Sequence, residues 1–218
     1  ELMHEIDNRM LEVLKKENIS EFRPSQQKAL DAGLLDGKNI LVCTPTASGK
    51  TLIAEIAITN NILKKRTKAI YIVPLISLAT EKYKEFQRKY SHLFKIALSI
   101  GDFDTTDSKL IEYDLIICTS EKLDSLIRHK AEWLSKVSVV IIDEIHLLND
   151  PGRGPTLEIL ITILKTTLKR VQIIGLSATI GNPEELAEWL GAELVIDTWR
   201  PVPLHKGIYH DGKVEFYE

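Results

Sequence analysis

Seven short runs rich in Val, Ile and Leu recur along the chain, at 39–43, 69–73, 95–100, 114–118, 137–142, 172–176 and 193–196. Within each run apolar residues follow one another instead of alternating with polar ones, which is the pattern of a strand buried on both faces. Most of the intervals are long enough for a helix. Strands of this kind, separated by helices, suit an α/β doubly wound layout: a mostly parallel sheet with helices over both faces.

Of the 218 residues, 44% are hydrophobic and 27% charged, values that exclude a disordered or fibrous chain. No apolar run approaches the roughly 20 residues of a membrane span, and no signal peptide opens the sequence, so the expectation is a cytoplasmic protein without membrane contact. The formal net charge of -3 gives no molecule-wide basic field, so any contact with nucleic acid has to be local. Cys43 and Cys118 lie inside apolar runs without metal-ligand partners and read as small buried side chains. The prolines of Trp199-Arg200-Pro201-Val202-Pro203 mark the expected boundary: a domain over 1–200, then a linker and hairpin over 201–218 in which Asp211-Gly212 turns the chain between 204–209 and 213–217.

The segment Thr44-Pro45-Thr46-Ala47-Ser48-Gly49-Lys50-Thr51 follows one predicted strand and precedes a stretch, 52–64, that reads as an amphipathic helix. That context suits a phosphate loop. Backbone N–H groups of Thr46, Ala47, Ser48 and Gly49 would cradle phosphates, the Lys50 ammonium would reach the terminal ones, and the Thr51 hydroxyl would ligate magnesium. Thr44 stands where the general pattern has glycine, and a strand-turn-helix with a chance Gly-Lys-Thr is the plainer alternative. Asp143-Glu144-Ile145-His146 directly follows the run 137–142, so both carboxylates fall at the C-terminal end of a buried strand, where sheets of this class bind ligands. There Asp143 can hold a metal ion and Glu144 can act as general base on an attacking water, whereas the bland alternative is a solvated strand end.

In this order, the phosphate loop, the Asp-Glu-Ile-His box and Ser177-Ala178-Thr179 resemble motifs I, II and III of the superfamily-two helicases. Phe22-Arg23-Pro24-Ser25-Gln26 resembles the adenine-reading Q motif. Val73-Pro74-Leu75 with Glu81-Lys82-Tyr83 resembles motif Ia, Gly101-Asp102 the GD element, and Thr119-Ser120-Glu121-Lys122-Leu123 motif Ib. The stretches IDEIHLLNDPGRGPTLE, LSATIGNPEELAEWLGAE and WRPVPL are similar to those of the archaeal Hjm-type DNA helicases.

This resemblance implies a RecA-like P-loop NTPase domain that uses ATP and Mg2+. It also implies 3′-to-5′ movement along single-stranded DNA and unwinding of branched or stalled forks by a monomeric motor. It assigns Gln26 to adenine, and His146, Ser177 and Thr179 to coupling nucleotide state to DNA grip. Ser177 and Thr179 read equally as a strand-to-helix turn. Pro74, Leu75, Gly101, Thr119 and Ser120 would meet DNA, through backbone or hydroxyl groups that position without reading sequence. Ile76 stands where such helicases usually carry arginine, which weakens the expected grip. Motifs IV to VI, with the arginine fingers, are expected in a second RecA-like domain beyond residue 218. An RNA helicase of the same branch shares these motifs, and a non-catalytic nucleotide-binding scaffold shares the fold; intact Lys50, Asp143 and Glu144 argue against the latter.

Overall fold

The computed structural model describes residues 5–45, 49–101, 105–148, 156–168, 170–200, 202–203 and 205–217. Its centre is a seven-stranded parallel sheet made of β1 (Ile40–Cys43), β2 (Lys68–Val73), β3 (Ile96–Ser99), β4 (Leu115–Thr119), β5 (Val137–Ile142), β6 (Gln172–Ser177) and β7 (Glu193–Ile196). The spatial order is β3-β4-β2-β5-β6-β1-β7, with every neighbouring pair parallel. All seven apolar runs of the sequence become strands within a residue or two of their expected limits. Because the strands run the same way, their C-terminal ends share one edge of the sheet.

Side chains along each strand go alternately to opposite faces. Ile40 and Val42 of β1, with Ala69, Tyr71 and Val73 of β2, face a core closed by α1 (Asn8–Lys16), α2 (Pro24–Asp31), α3 (Lys50–Thr59) and α4 (Ile76–Tyr90). Leu41 and Cys43, with Ile70 and Ile72, face a second core closed by α5 (Ser120–Arg128), α6 (Ile145–Leu148), α7 (Thr156–Thr167) and α8 (Pro183–Leu190). Burial on both sides explains the unbroken apolar runs. Gly175 of β6 lets α6 come close to the sheet: a Cβ there would stand 3.0 Å from Leu41 Cδ1 and 3.1 Å from Ile145 Cδ1.

One expectation is corrected. The helix after the phosphate loop is not amphipathic; from Leu52 to Thr59 every residue of α3 is buried, and the helix widens into a π turn over Asn60–Lys64. Glu55, a charge within that stretch, is itself buried. Its carboxylate accepts from Lys89 Nζ at 3.1 Å and from Tyr90 Oη at 2.8 Å, both on α4. A buried charge is tolerated where it is paired and hydrogen-bonded in this way.

Both cysteines are free and buried, and desolvation pushes the Cys118 thiol up to about 12. Beyond β7, β8 (Lys206–His210) and β9 (Lys213–Tyr217) form a separate antiparallel hairpin. Asp211 (φ 50) and Gly212 (φ 76) supply the two left-handed turn positions that a tight hairpin needs. Among the described residues no helix is long and apolar enough to cross a membrane.

Candidate functional site

A cleft of about 360 Å³ opens at the C-terminal edge of the sheet, lined by Arg23, Gly49, Lys50, Thr51, Leu78, Glu81, Lys82, Asp143 and Glu144. It therefore brings together Gly49, Lys50 and Thr51 of the phosphate-loop segment with both carboxylates of the Asp-Glu pair. Thr46, Ala47 and Ser48 lie outside the described residues. Gly49 caps α3 in the left-handed region (φ 87), a conformation that costs glycine little. The N-terminus of α3 adjoins the cleft, and the first N–H groups of a helix have no carbonyl of the same helix to bond.

Lys50 Nζ donates to the Thr44 carbonyl at 2.9 Å. Burial lowers the Lys50 pKa from the usual 10.5, while Glu144 and Asp143 pull it back towards the charged form. Asp143 is held on three sides. Its N–H continues the ladder to the Ile72 carbonyl (2.8 Å), its Oδ1 accepts the Glu144 N–H (2.8 Å), and its Oδ2 accepts the hydroxyl of fully buried Tyr71 (2.6 Å). Burial, then the charge of Asp143, pushes the Tyr71 phenol far above its usual value, so it remains a donor. Glu144 adopts φ 49, an unfavourable left-handed backbone for a side chain of its size. This turn aims the two adjacent carboxylates into one cleft.

His146 stands between the second and third motifs. Its Nδ1 accepts the Ala178 N–H at 3.2 Å, and its Nε2 is 3.2 Å from Glu144 Oε2. A backbone N–H can only donate, so in the neutral ring Nδ1 is bare and the proton is on Nε2, towards Glu144. Ser177 is buried and its hydroxyl donates to the Ala178 carbonyl at 2.8 Å, which is the local turn role left open in the sequence. Thr179 is exposed.

Gln26 bridges two segments: its Oε1 accepts the Arg23 N–H (2.8 Å) and its Nε2 donates to the Gly49 carbonyl (3.0 Å). The guanidinium of Arg23 lies 5.3 Å from the centre of the Trp199 ring.

The expected nucleic-acid positions fall on the same edge but further along it, at the ends of β2, β3 and β4. Pro74 is buried, whereas Leu75 and the neighbouring Ile76 are exposed, as is Gly101 (φ 83); Asp102 lies outside the described residues. At motif Ib both hydroxyl residues stand at the start of α5: Thr119 Oγ1 is the N-cap, accepting from Lys122 N, and Ser120 is only 1% exposed. What this turn presents outward is the start of a helix. Sequence reasoning missed Tyr71, which lies inside an apolar run, and placed Lys82 only in motif Ia, with no role in the nucleotide cleft. Lys82 Nζ donates to Thr51 Oγ1 at 3.1 Å.

A parallel sheet whose C-terminal edge joins a Gly-Lys-Thr helix start to an Asp-Glu strand end defines a P-loop nucleotide-binding motor domain. The chain belongs to the DEAD/DEAH box helicase family, whose model matches residues 23–186. It is 60% identical over 216 residues to the ATP-dependent DNA helicase Hel308 of Methanocaldococcus jannaschii, covering 96% of this chain and 18% of that protein. With the Hel308 of Pyrococcus horikoshii it shares 55% identity over 213 residues, 98% of this chain and 29% of that one. Among solved structures it is similar to the DUF1998 helicase MrfA bound to DNA and AMPPNP, with a TM-score of 0.76 and 26% identity over 88% of this chain and 29% of that one. The chain thus spans less than a third of the length of each of these proteins.

Proposed function

We propose that this chain is the first motor domain of an ATP-dependent DNA helicase, binding ATP and Mg2+ in the cleft between α3, α4 and the end of β5. The observation that carries the reading is the convergence of Lys50, Thr51, Asp143 and Glu144 on that one cleft. Lys50 would leave the Thr44 carbonyl for the β and γ phosphates. The hydroxyl of Thr51 and the carboxylate of Asp143 are hard oxygen donors, suited to Mg2+, which ordinarily takes only one or two protein oxygens beside phosphate and water. Bound there, the ion would neutralise phosphate charge; Glu144 would orient and deprotonate the attacking water.

Among the described residues, the amide of Gln26 has one N–H and one lone pair uncommitted after its bonds to Gly49 and Arg23, which is the pair an adenine edge requires. Leu75, Gly101 and the starts of the helices following β2 and β4 would form the track for single-stranded or branched DNA, with Pro74, Thr119 and Ser120 shaping it from beneath. His146, Ser177 and Thr179 would link the two halves. The boundary proposed near residue 200 is supported by two features. Trp199 is still in contact with Arg23, while the β8–β9 hairpin pairs only with itself and β8 is exposed throughout.

By its likeness to Hel308, the whole protein would unwind forks with 3′-to-5′ polarity as a monomer in the cytoplasm, with a second RecA-like domain completing the ATP site. The test is strand-stimulated ATP hydrolysis by the whole protein, with DNA and RNA strands in parallel. DNA stimulation that is lost in Lys50→Ala is expected. Stimulation by RNA alone would overturn the DNA assignment, and none by either would overturn the motor.

A further inference from the structure

The nucleotide cleft contains a second lysine whose placement is more constrained than a surface charge requires. Leu78, Glu81 and Lys82, one turn of α4, form the wall opposite the phosphate-loop helix. Only 19% of the Lys82 side chain is exposed. Its ammonium lies 3.1 Å from Thr51 Oγ1 and 3.3 Å from Glu85 Oε2. Glu85 in turn meets Lys89 at 3.3 Å, and Lys89 meets buried Glu55 at 3.1 Å. The result is a ladder of alternating charge that starts inside α3 and ends with a cation pointing at the hydroxyl beside Lys50.

A neutral hydroxyl is a weak partner for an ammonium, and the third N–H of Lys82 has no acceptor among the described residues. Thr51 Oγ1 is also the atom expected to ligate Mg2+. Two cations on one oxygen in a partly dry cleft repel more strongly than one hydrogen bond to a hydroxyl attracts. When metal arrives, Lys82 must therefore release Thr51, and the anion that arrives with the metal is the terminal phosphate.

We propose that Lys82 is a second phosphate-binding lysine of this site, supplied by α4, which holds the Thr51 hydroxyl while the cleft is empty and transfers to the γ phosphate when nucleotide and Mg2+ enter. The inference rests on the nucleotide-binding reading above. It gives α4 a direct sense of whether a γ phosphate is present, at the helix whose first turn carries exposed Ile76 next to Leu75.

The experiment titrates this 218-residue chain with AMPPNP and with ADP in magnesium, as wild type, Lys82→Met and Lys82→Arg, with circular dichroism confirming the fold of each. Lys82→Met should weaken AMPPNP binding about tenfold and ADP binding by less than about twofold, and Lys82→Arg should restore most of the loss. In parallel, reductive methylation of the wild type, read by mass spectrometry, should show Lys82 protected by AMPPNP more than by ADP. A Lys82→Met variant that binds AMPPNP like wild type, an equal loss for both nucleotides, or equal methylation with either overturns the proposal. A wild-type chain that binds neither nucleotide instead overturns the nucleotide-site reading, and this inference with it.

Discussion

The hydroxyl of Tyr71 on β2 donates a 2.6 Å hydrogen bond to Oδ2 of Asp143 at the end of β5, joining two neighbouring strands in the middle of the sheet. In the order β3-β4-β2-β5-β6-β1-β7, the expected nucleic-acid positions occupy the ends of β3, β4 and β2, while the expected nucleotide and coupling positions occupy the ends of β5, β6 and β1. The two groups are contiguous and meet where β2 pairs with β5. Tyr71 and Asp143 span that seam.

Replacing Tyr71 with Phe keeps the ring and its edge contact with Phe86, at 5.5 Å between centroids, but removes the donor from a carboxylate that is 8% exposed. A buried acceptor left without its partner costs about 1–3 kcal/mol. The expected result is a drop of that size in urea unfolding free energy with an unchanged slope, which would mark lost stability in an intact fold. A midpoint equal to wild type would mean that water replaces the hydroxyl and that Tyr71 does not fix Asp143.

If Lys50 binds phosphate as proposed, it should set the pH dependence of nucleotide affinity. Its pKa is lowered from 10.5 chiefly by burial, and phosphate binding favours the ammonium. Affinity should therefore hold at neutral pH and fall as pH rises through the lowered pKa, before an ordinary lysine would lose its proton. For the empty protein the sign is reversed: below the lowered pKa the fold carries the penalty of a buried charge. Between that pKa and 10.5 the unfolded chain binds more protons, so the contribution of Lys50 to stability improves as pH rises. A nucleotide titration from neutral to alkaline pH, with Lys50→Ala as the non-binding control, tests both the residue and the direction. Affinity that rises with pH would contradict it.

Strands and catalytic motifs were legible because each is local. A run of β-branched residues is a buried strand wherever it falls in the sheet, and Gly49-Lys50-Thr51 needs only a strand before it and a helix after. What the sequence hid depends on partners distant along the chain. Nothing near Glu55 in the sequence reveals Lys89, 34 residues on, as its counter-ion. Lys82 and Tyr71 acquire their roles only when α4 and β2 are laid beside α3 and β5. At motif Ib the residue types were read as hydroxyl or backbone donors to a ligand, and the structure adds that Thr119 also caps α5. Hydroxyls at strand-to-helix turns serve both ends, and spacing alone does not separate them.

Glu144→Gln tests the base. The amide retains the shape and a contact to His146, so nucleotide affinity should stay within about twofold of wild type, while hydrolysis by the whole protein should fall by roughly 10²–10⁴, the usual contribution of a positioned general base. The measurement is a single-turnover assay beside an equilibrium titration. Retained turnover would remove Glu144 from this role.

The His146 side chain touches both the Glu144 carboxylate and the backbone of the Ser177-Ala178-Thr179 turn. Because the Ala178 N–H occupies Nδ1, the proton on Nε2 is directed at the residue proposed to activate water. A shift of Glu144 on nucleotide binding would then pull on the turn that follows β6, the strand between β5 and β1. Substituting Ala for His146 should leave nucleotide affinity nearly unchanged, since His146 is absent from the lining of the cleft. It should leave the Ala178 N–H without its partner and reduce the stimulation of hydrolysis by DNA in the whole protein. Basal hydrolysis should suffer less than stimulated hydrolysis, because the lost element is the connection and not the base. Nitrogen chemical shifts of the His146 ring in wild type supply an independent readout: a bare Nδ1 and a protonated Nε2 are expected. The opposite tautomer, or a variant whose DNA stimulation matches wild type, would show that His146 does not carry the coupling.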